Sequence, residues 1–191
     1  MRKILNKKQQ KSKERFNQIL VGIVLIFLMM LSIMGYSLIG RESTTKKQEK
    51  IVYNGFKFSK VNNFWVLEEG EMQFIFKYNP EQVEKIDSEV NYLDFYYNQP
   101  LYISSENAEA TSEIYNNLGD LVLRMQNACL TEEGCEEDLP IKGCDSNFII
   151  IRESNITTIN QNESCVFIEG NKEDLVSLTD EFLFKVFGIE E

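Results

Sequence analysis

Apolar residues fall into three patterns along this chain, and each predicts a different element. From Ile19 to Ile39 there are 21 residues without a charge, thirteen of them Leu, Ile, Val or Phe and three of them Met. As a helix this run reaches roughly 31 Å, the thickness of a bilayer's hydrocarbon core. It is apolar on every face, which a helix at the surface of a soluble core has no need to be. The pattern predicts a membrane-spanning helix over 19–39. Alternation follows further on: Met72, Phe74, Phe76 and Tyr78 are interleaved with Gln73, Ile75 and Lys77, the period of a strand with one buried face. With Phe64–Glu68 before it and a turn at Glu69-Gly70, this is a hairpin, preceded by a strand over Val52–Phe58. Helical spacing appears twice. Ala110, Ile114, Leu118, Leu121 and Met125 form one stripe, predicting a helix from Asn107 to Ala128 that Gly119 weakens. Leu175, Leu178, Phe182, Val186 and Ile189 form the other, with Asn171 as its cap and Gly188 as its terminating glycine.

Shorter elements fill the remainder. Asn79-Pro80-Glu81 predicts the start of a short helix ending near Ile86. Leu101–Ser104, Ile156–Asn160 and Cys165–Glu169 read as strands, and the continuous apolar run Phe148–Arg152 as a strand buried on both faces. Strands come in groups with helices between them. The expected fold is α+β: the transmembrane helix, then a mostly antiparallel sheet with two main packing helices, stapled by disulfides. The expected organisation is a basic cytoplasmic tail (1–18), the anchor (19–39), a polar stalk (40–50) and an acidic domain (51–191).

Charge gives the arrangement a direction. The first fifteen residues hold seven Lys and Arg against Glu14, whereas 41–50 hold four. That bias keeps the N-terminus in the cytoplasm and places the C-terminal domain outside the cell membrane as a single-pass protein. A cleaved signal peptide would share the basic start. Its apolar segment would be shorter, and no small-residue cleavage pattern follows; the first alanine is Ala108. Residues 51–191 carry 9 basic and 27 acidic side chains. Such a surface as a whole repels phosphate backbones and anionic lipid headgroups, so nucleic acid is not an expected partner. Solubility explains the acidity more simply than a dedicated cation-binding face does.

Cys129, Cys135, Cys144 and Cys165 all lie in this domain. An even count in an exported domain predicts disulfides. A four-thiolate zinc site is the rival reading, weakened by the lack of any C-x2-C pair and by a chain without histidine. Cys135 lies six residues after Cys129, close enough to clasp the end of the long helix. Cys144 and Cys165 each precede a strand, and they meet at one sheet edge if Ile156–Asn160 runs back between those strands. The expected pairs are Cys129–Cys135 and Cys144–Cys165.

Candidate chemistry is sparse. Without histidine there is no Ser-His, Cys-His or His-metal set. The acidic loop Glu132 to Asp138 lacks calcium-loop spacing and reads as a solvated loop. No catalytic, cofactor or metal residue is therefore assigned. Asp180 sits at the edge of the last helix's stripe, where it could be partly buried and paired with Arg124 or Arg152, the domain's two arginines; a surface or ion-paired aspartate is the simpler expectation. Phe56, Phe58, Phe64, Trp65, Phe74, Phe76 and Tyr78 could line a groove, but core packing accounts for them better. Asn155-Ile-Thr157 and Asn162-Glu-Ser164 match the N-glycosylation acceptor pattern, making Asn155 and Asn162 candidate modification sites.

Five stretches carry a resemblance: Tyr53-Asn-Gly-Phe-Lys-Phe58, Tyr78-Asn-Pro-Glu-Gln-Val-Glu84, the spaced cysteines, Cys165-Val-Phe-Ile-Glu-Gly170 and Asp180-Glu-Phe-Leu-Phe-Lys-Val-Phe-Gly-Ile189. The chain resembles uncharacterised single-pass membrane-anchored proteins of small-genome archaea over most of residues 51–189. The resemblance implies an archaeal plasma membrane and strengthens the two glycosylation motifs. It implies no activity. The functional expectation is a non-catalytic, membrane-tethered outer module that touches the bilayer through 19–39 and meets other envelope proteins, glycans or a surface layer. A carboxylate-dependent enzyme acting on cell-surface sugars and an accessory subunit of a larger membrane complex are the alternatives.

Overall fold

The computed structural model describes residues 18–31, 48–130, 135 and 138–190. The chain divides into two units, residues 1–47 and 48–191. In the first, residues 18–31 are helical (α1) and their apolar side chains are exposed. Among the described residues no helix is long and apolar enough to cross a membrane. Residues 32–39 of the expected span, and the stalk up to residue 47, lie outside the described residues.

The second unit opens with an antiparallel meander of four strands, β1 (Lys50–Tyr53), β2 (Phe56–Val61), β3 (Phe64–Glu69) and β4 (Met72–Phe76), in that spatial order. Two-residue turns join them. The strand expected over Val52–Phe58 is broken in two by Asn54-Gly55, both at positive φ (45° and 88°), the pairing a type I′ hairpin turn demands. Asn62 and Gly70 supply the left-handed positions of the next two turns. A Gly55→Ala variant is expected to lose about 1 kcal/mol of stability in thermal unfolding, because alanine is strained at that φ.

Five strands form the second sheet: β5 (Pro100–Ser105), β6 (Arg124–Asn127), β9 (Phe148–Glu153), β10 (Thr158–Asn162) and β11 (Cys165–Gly170), ordered β10-β11-β9-β5-β6. Here the expectation of a mostly antiparallel sheet holds only for the β10–β11 pair; β11–β9, β9–β5 and β5–β6 are parallel. Composition explains the order. β11 is apolar and takes an interior position, leaving the edges to Thr-Ile-Asn-Gln-Asn of β10 and Arg-Met-Gln-Asn of β6. A two-stranded ribbon of β7 (Cys129–Leu130) and β8 (Ile141–Lys142) lies between β6 and β9 in sequence.

Three helices belong to this unit: the single turn α2 (Leu93–Tyr96), α3 (Ala108–Leu118) and α4 (Leu175–Val186). Asn107 caps α3 by accepting from the Ala110 N–H, as its place in the sequence suggests. The helix stops at Leu118, not Ala128. At Gly119-Asp120 the chain turns and residues 124–127 become β6, so Leu121 and Met125 continue the apolar stripe from a turn and a strand. The helix expected after Asn79 is only a turn, in which the Asn79 side chain accepts the Glu81 N–H and its carbonyl the Gln82 N–H. At the end of α4, Gly188 N–H reaches the Lys185 carbonyl and Ile189 N–H the Phe184 carbonyl. Gly188 sits at φ 66°, the Schellman stop its position predicts.

α3 and α4 pack together with the inner faces of both sheets in one core. Phe184 of α4 meets Phe58 and Phe76 of the meander, and Phe187 meets Phe74. The aromatic residues at 58, 65, 74 and 76 are thus core, whereas Phe64 points to the opposite face. A second, smaller core lies on the far side of the five-stranded sheet, where Tyr102, Phe148, Ile150 and Cys165 pack against Ala128 and Leu130.

Candidate functional site

Strand β4 is an edge strand, and its free backbone groups must find partners if they are buried. Side chains from the helices supply them. Asn117 of α3 accepts from the Ile75 N–H at 2.8 Å and donates to the Ile75 carbonyl at 2.7 Å, pairing with the strand as another strand would. One level on, Asp180 of α4 accepts the Tyr78 N–H at 2.8 Å. Glu113 of α3 lies beside Asp180, near enough for each carboxyl to act on the other, and the Lys77 backbone N–H lies near both. Asp180 is 0% exposed and Glu113 5%. The arginine partner expected for Asp180 is therefore absent: Arg124 bonds the Tyr102 hydroxyl and Arg152 bonds Glu169. Asp180 is placed among the inward positions of α4, where it faces the backbone after β4.

Electrostatics in this seam follow from burial. Loss of water raises the Asp180 carboxyl well above the usual carboxylate range, the Glu113 charge beside it adds to the rise, and the Tyr78 and Lys77 N–H groups oppose it. Glu113 is raised by burial too, with Asp180 and Lys77 acting against the rise. Glu113 Oε2 and Asp180 Oδ1 have no hydrogen-bond partner. A proton shared by the two carboxyls would supply the donor that both oxygens lack.

Glu181, the neighbouring residue, is also fully buried and does a different task. It accepts the Ile86 N–H at 3.3 Å and pairs with Lys85 and Lys185, each at 3.6 Å. Lys85 also pairs with Glu190 and lies 4.9 Å from the Tyr53 ring. Partial burial lowers the Lys85 ammonium, with Glu181 working against that shift. The segment after β4 is thereby tied to α4 and to the end of the domain.

That segment separates two open clefts. One, of about 730 Å³, is lined by Asp87, Glu89, Asn91, Tyr92, Gln161 and Lys185. The other, of about 560 Å³, lies between Asp87–Glu89 and the Arg152, Asn160 and Glu169 side chains. Gln161 accepts the Asn91 N–H at 2.7 Å and fixes the wall between them. Glu113 and Asp180 line neither cleft. Both clefts are polar, so they suit a hydrogen-bonding partner more than an apolar one.

At the start of β5, Arg124 donates to the Tyr102 hydroxyl at 2.7 Å and the Lys142 ammonium sits 4.8 Å from the ring. Burial pushes this phenol up, but the hydrogen bonds and charges of Arg124 and Lys142 outweigh it and leave it below its ordinary value. A small hollow of about 220 Å³ beside Tyr102 is lined by Gln99, Pro100, Asp145, Ser146 and Asn147.

No family model, curated protein or solved structure matches the chain. The site residues expected from the sequence are placed as follows. Cys129 is bonded to Cys135 and Cys144 to Cys165, with Cα–Cα distances of 5.7 and 4.9 Å. Cys144 and Cys165 meet for a reason other than the one expected. β9 and β11 are parallel neighbours in register at Phe148–Cys165, and β10 lies outside them instead of between them. Asn155 is exposed in the β9–β10 loop and Asn162 is exposed at the end of β10. Of the acidic loop, Asp138 is exposed, and Glu132, Glu133, Glu136 and Glu137 lie outside the described residues. Among the described residues no cluster of His, Cys, Asp or Glu could hold a metal ion.

Sequence reasoning passed over Glu113 and Glu181. Their signal was available: Glu113 lies three residues after Ala110 and beside Ile114 on the buried stripe, and Glu181 follows Asp180 within an otherwise apolar helix.

Proposed function

We propose that this chain is a membrane-tethered, non-catalytic module whose disulfide-stapled domain lies outside the membrane and contacts envelope or surface components. The observation that carries the reading is the position of the two disulfides. Both lie in the domain that follows the uncharged run 19–39, and such bonds persist in oxidising compartments. Where contact is made, the open polar clefts beside residues 87–91 are the favoured surface, since they present hydrogen-bonding groups on a wall that Gln161 and Glu181 hold in place. The buried Glu113–Asp180 pair, which an enzymatic reading would reach for, lies against the edge of β4.

Thiol mapping on protein taken from its native membranes tests the proposal. Alkylation without reduction is expected to leave all four cysteines unmodified, with linked peptides joining 129 to 135 and 144 to 165. Four alkylated thiols would place the domain in the cytoplasm and overturn the reading.

A further inference from the structure

Charge is divided unevenly within the domain. Residues 79–191 carry 24 acidic and 6 basic side chains, whereas residues 48–78, which build the meander, carry four of each. Strand alternation sorts those eight charges further. Cross-strand partners share a face, so the register Lys50↔Ser59↔Val66↔Ile75 and Val52↔Lys57 defines the side turned away from the helices. Lys50, Lys57 and Lys77 are on that side, and among the described residues Glu68 is its single acid. Glu49 and Glu69 fall on the opposite parity, and Glu71 sits in the β3–β4 turn.

The same face has an apolar centre. Val66, itself only 6% exposed, and Ile75 lie side by side on adjacent strands, flanked by Val52, Val61 and Phe64. Val52 is 64% exposed and Phe64 40%. The Lys77 ammonium stands 5.5 Å from the Phe64 ring. A shallow groove of about 280 Å³ runs between Lys50, Val52, Lys57, Val66 and Glu68. Apolar residues ringed by lysines on an otherwise strongly acidic body form an amphipathic cationic surface, the combination that binds an anionic lipid–water interface.

The geometry points to this outer face of the β1–β4 meander as a docking surface for the anionic surface of the membrane that tethers the chain. The inference rests on the tethered reading above. The charge division selects lipid over other occupants: it turns the acidic remainder away from an anionic surface while presenting the lysines to it.

Lysine footprinting of the full chain tests this. The chain is reconstituted into vesicles of phosphatidylcholine alone and of phosphatidylcholine with roughly one part in three phosphatidylglycerol. Acetylation of Lys57 and Lys77 is measured by mass and normalised to Lys172, whose side chain is 75% exposed on the acidic portion. In the anionic vesicles Lys57 and Lys77 are expected to react about threefold or more slowly than in detergent, the difference vanishing at about 1 M salt. Vesicle flotation after an alkaline wash separates the two ways to fail. A chain that does not float overturns the tethered reading. A floating chain whose Lys57 and Lys77 react at their detergent rate overturns the docking alone. Protection in detergent that grows with protein concentration would assign the face to a second copy of the chain and overturn the lipid assignment.

Discussion

A variant lacking the second disulfide, Cys144→Ala/Cys165→Ala, is expected to lose about 3.3 kcal/mol of stability from chain entropy alone, the loop-closure value for a bond spanning 21 residues. Removing Cys129–Cys135, which spans six, should remove about 2.2 kcal/mol by the same relation. Packing widens the gap. Cys165 is fully buried at the start of β11 and belongs to the core on the far side of the sheet, whereas Cys129 and Cys135 are half-buried. The Cys144–Cys165 bond also joins the segment ahead of β9 to the neighbouring strand, at the end where that parallel pair begins. Urea unfolding of the detergent-solubilised chain measures both variants, with the single tryptophan as its reporter. Trp65 is almost wholly buried, so its fluorescence follows the core. A Cys144–Cys165 variant no less stable than the Cys129–Cys135 one would contradict this account.

The second expected result concerns the seam between the meander and the helices. Glu113 and Asp180 have carboxyls raised above their values in an unfolded chain, which are about 4.3 and 3.9. A raised acid binds its proton more tightly in the folded state, so the stability it contributes is fully present below pH 4. It is lost as pH rises through the folded value. Stability of the wild-type domain should therefore fall from mildly acid toward alkaline pH. Asp180→Asn keeps an oxygen for the Tyr78 N–H and puts an amide donor against Glu113, without the buried charge. It is expected to be more stable than wild type by on the order of 1–3 kcal/mol at pH 8, and to flatten the pH dependence. Asp180→Ala leaves the Tyr78 N–H buried without an acceptor and should be destabilised at every pH by about 1–3 kcal/mol. Urea midpoints at pH 5 and pH 8 decide it. Asn and Ala variants with the same pH slope as wild type would mean that the pair does not hold a shared proton.

Much of the second unit was legible beforehand because its signals are local. The β3–β4 hairpin, the Gly188 stop and the apolar strand over Phe148–Arg152 each depend on a few neighbouring residues. The Asn54-Gly55 turn was legible in principle too, since Asn-Gly is a strong hairpin signal, but the aromatic run around it reads as one strand. The α3 stripe overran its helix because an apolar position counts alike in a helix, a turn or a strand. Only the pairing of residues 124–127 with β5 distinguishes them.

What the sequence by itself determined is the set of parts: an uncharged run of membrane length, an acidic α+β domain, and four cysteines grouped for disulfides. These follow from composition and from short-range periodicity, which fold no chain but restrict what each segment can become. The tertiary structure alone decided which strands are neighbours and which polar groups are buried. The parallel order places Cys165 beside the start of β9, and the meeting of β4 with α3 and α4 buries Asn117, Glu113 and Asp180 against an unpaired strand edge. Backbone hydrogen bonds must be satisfied wherever the chain is buried, and the partner that satisfies them can be 42 or 102 residues away. No local pattern records that distance.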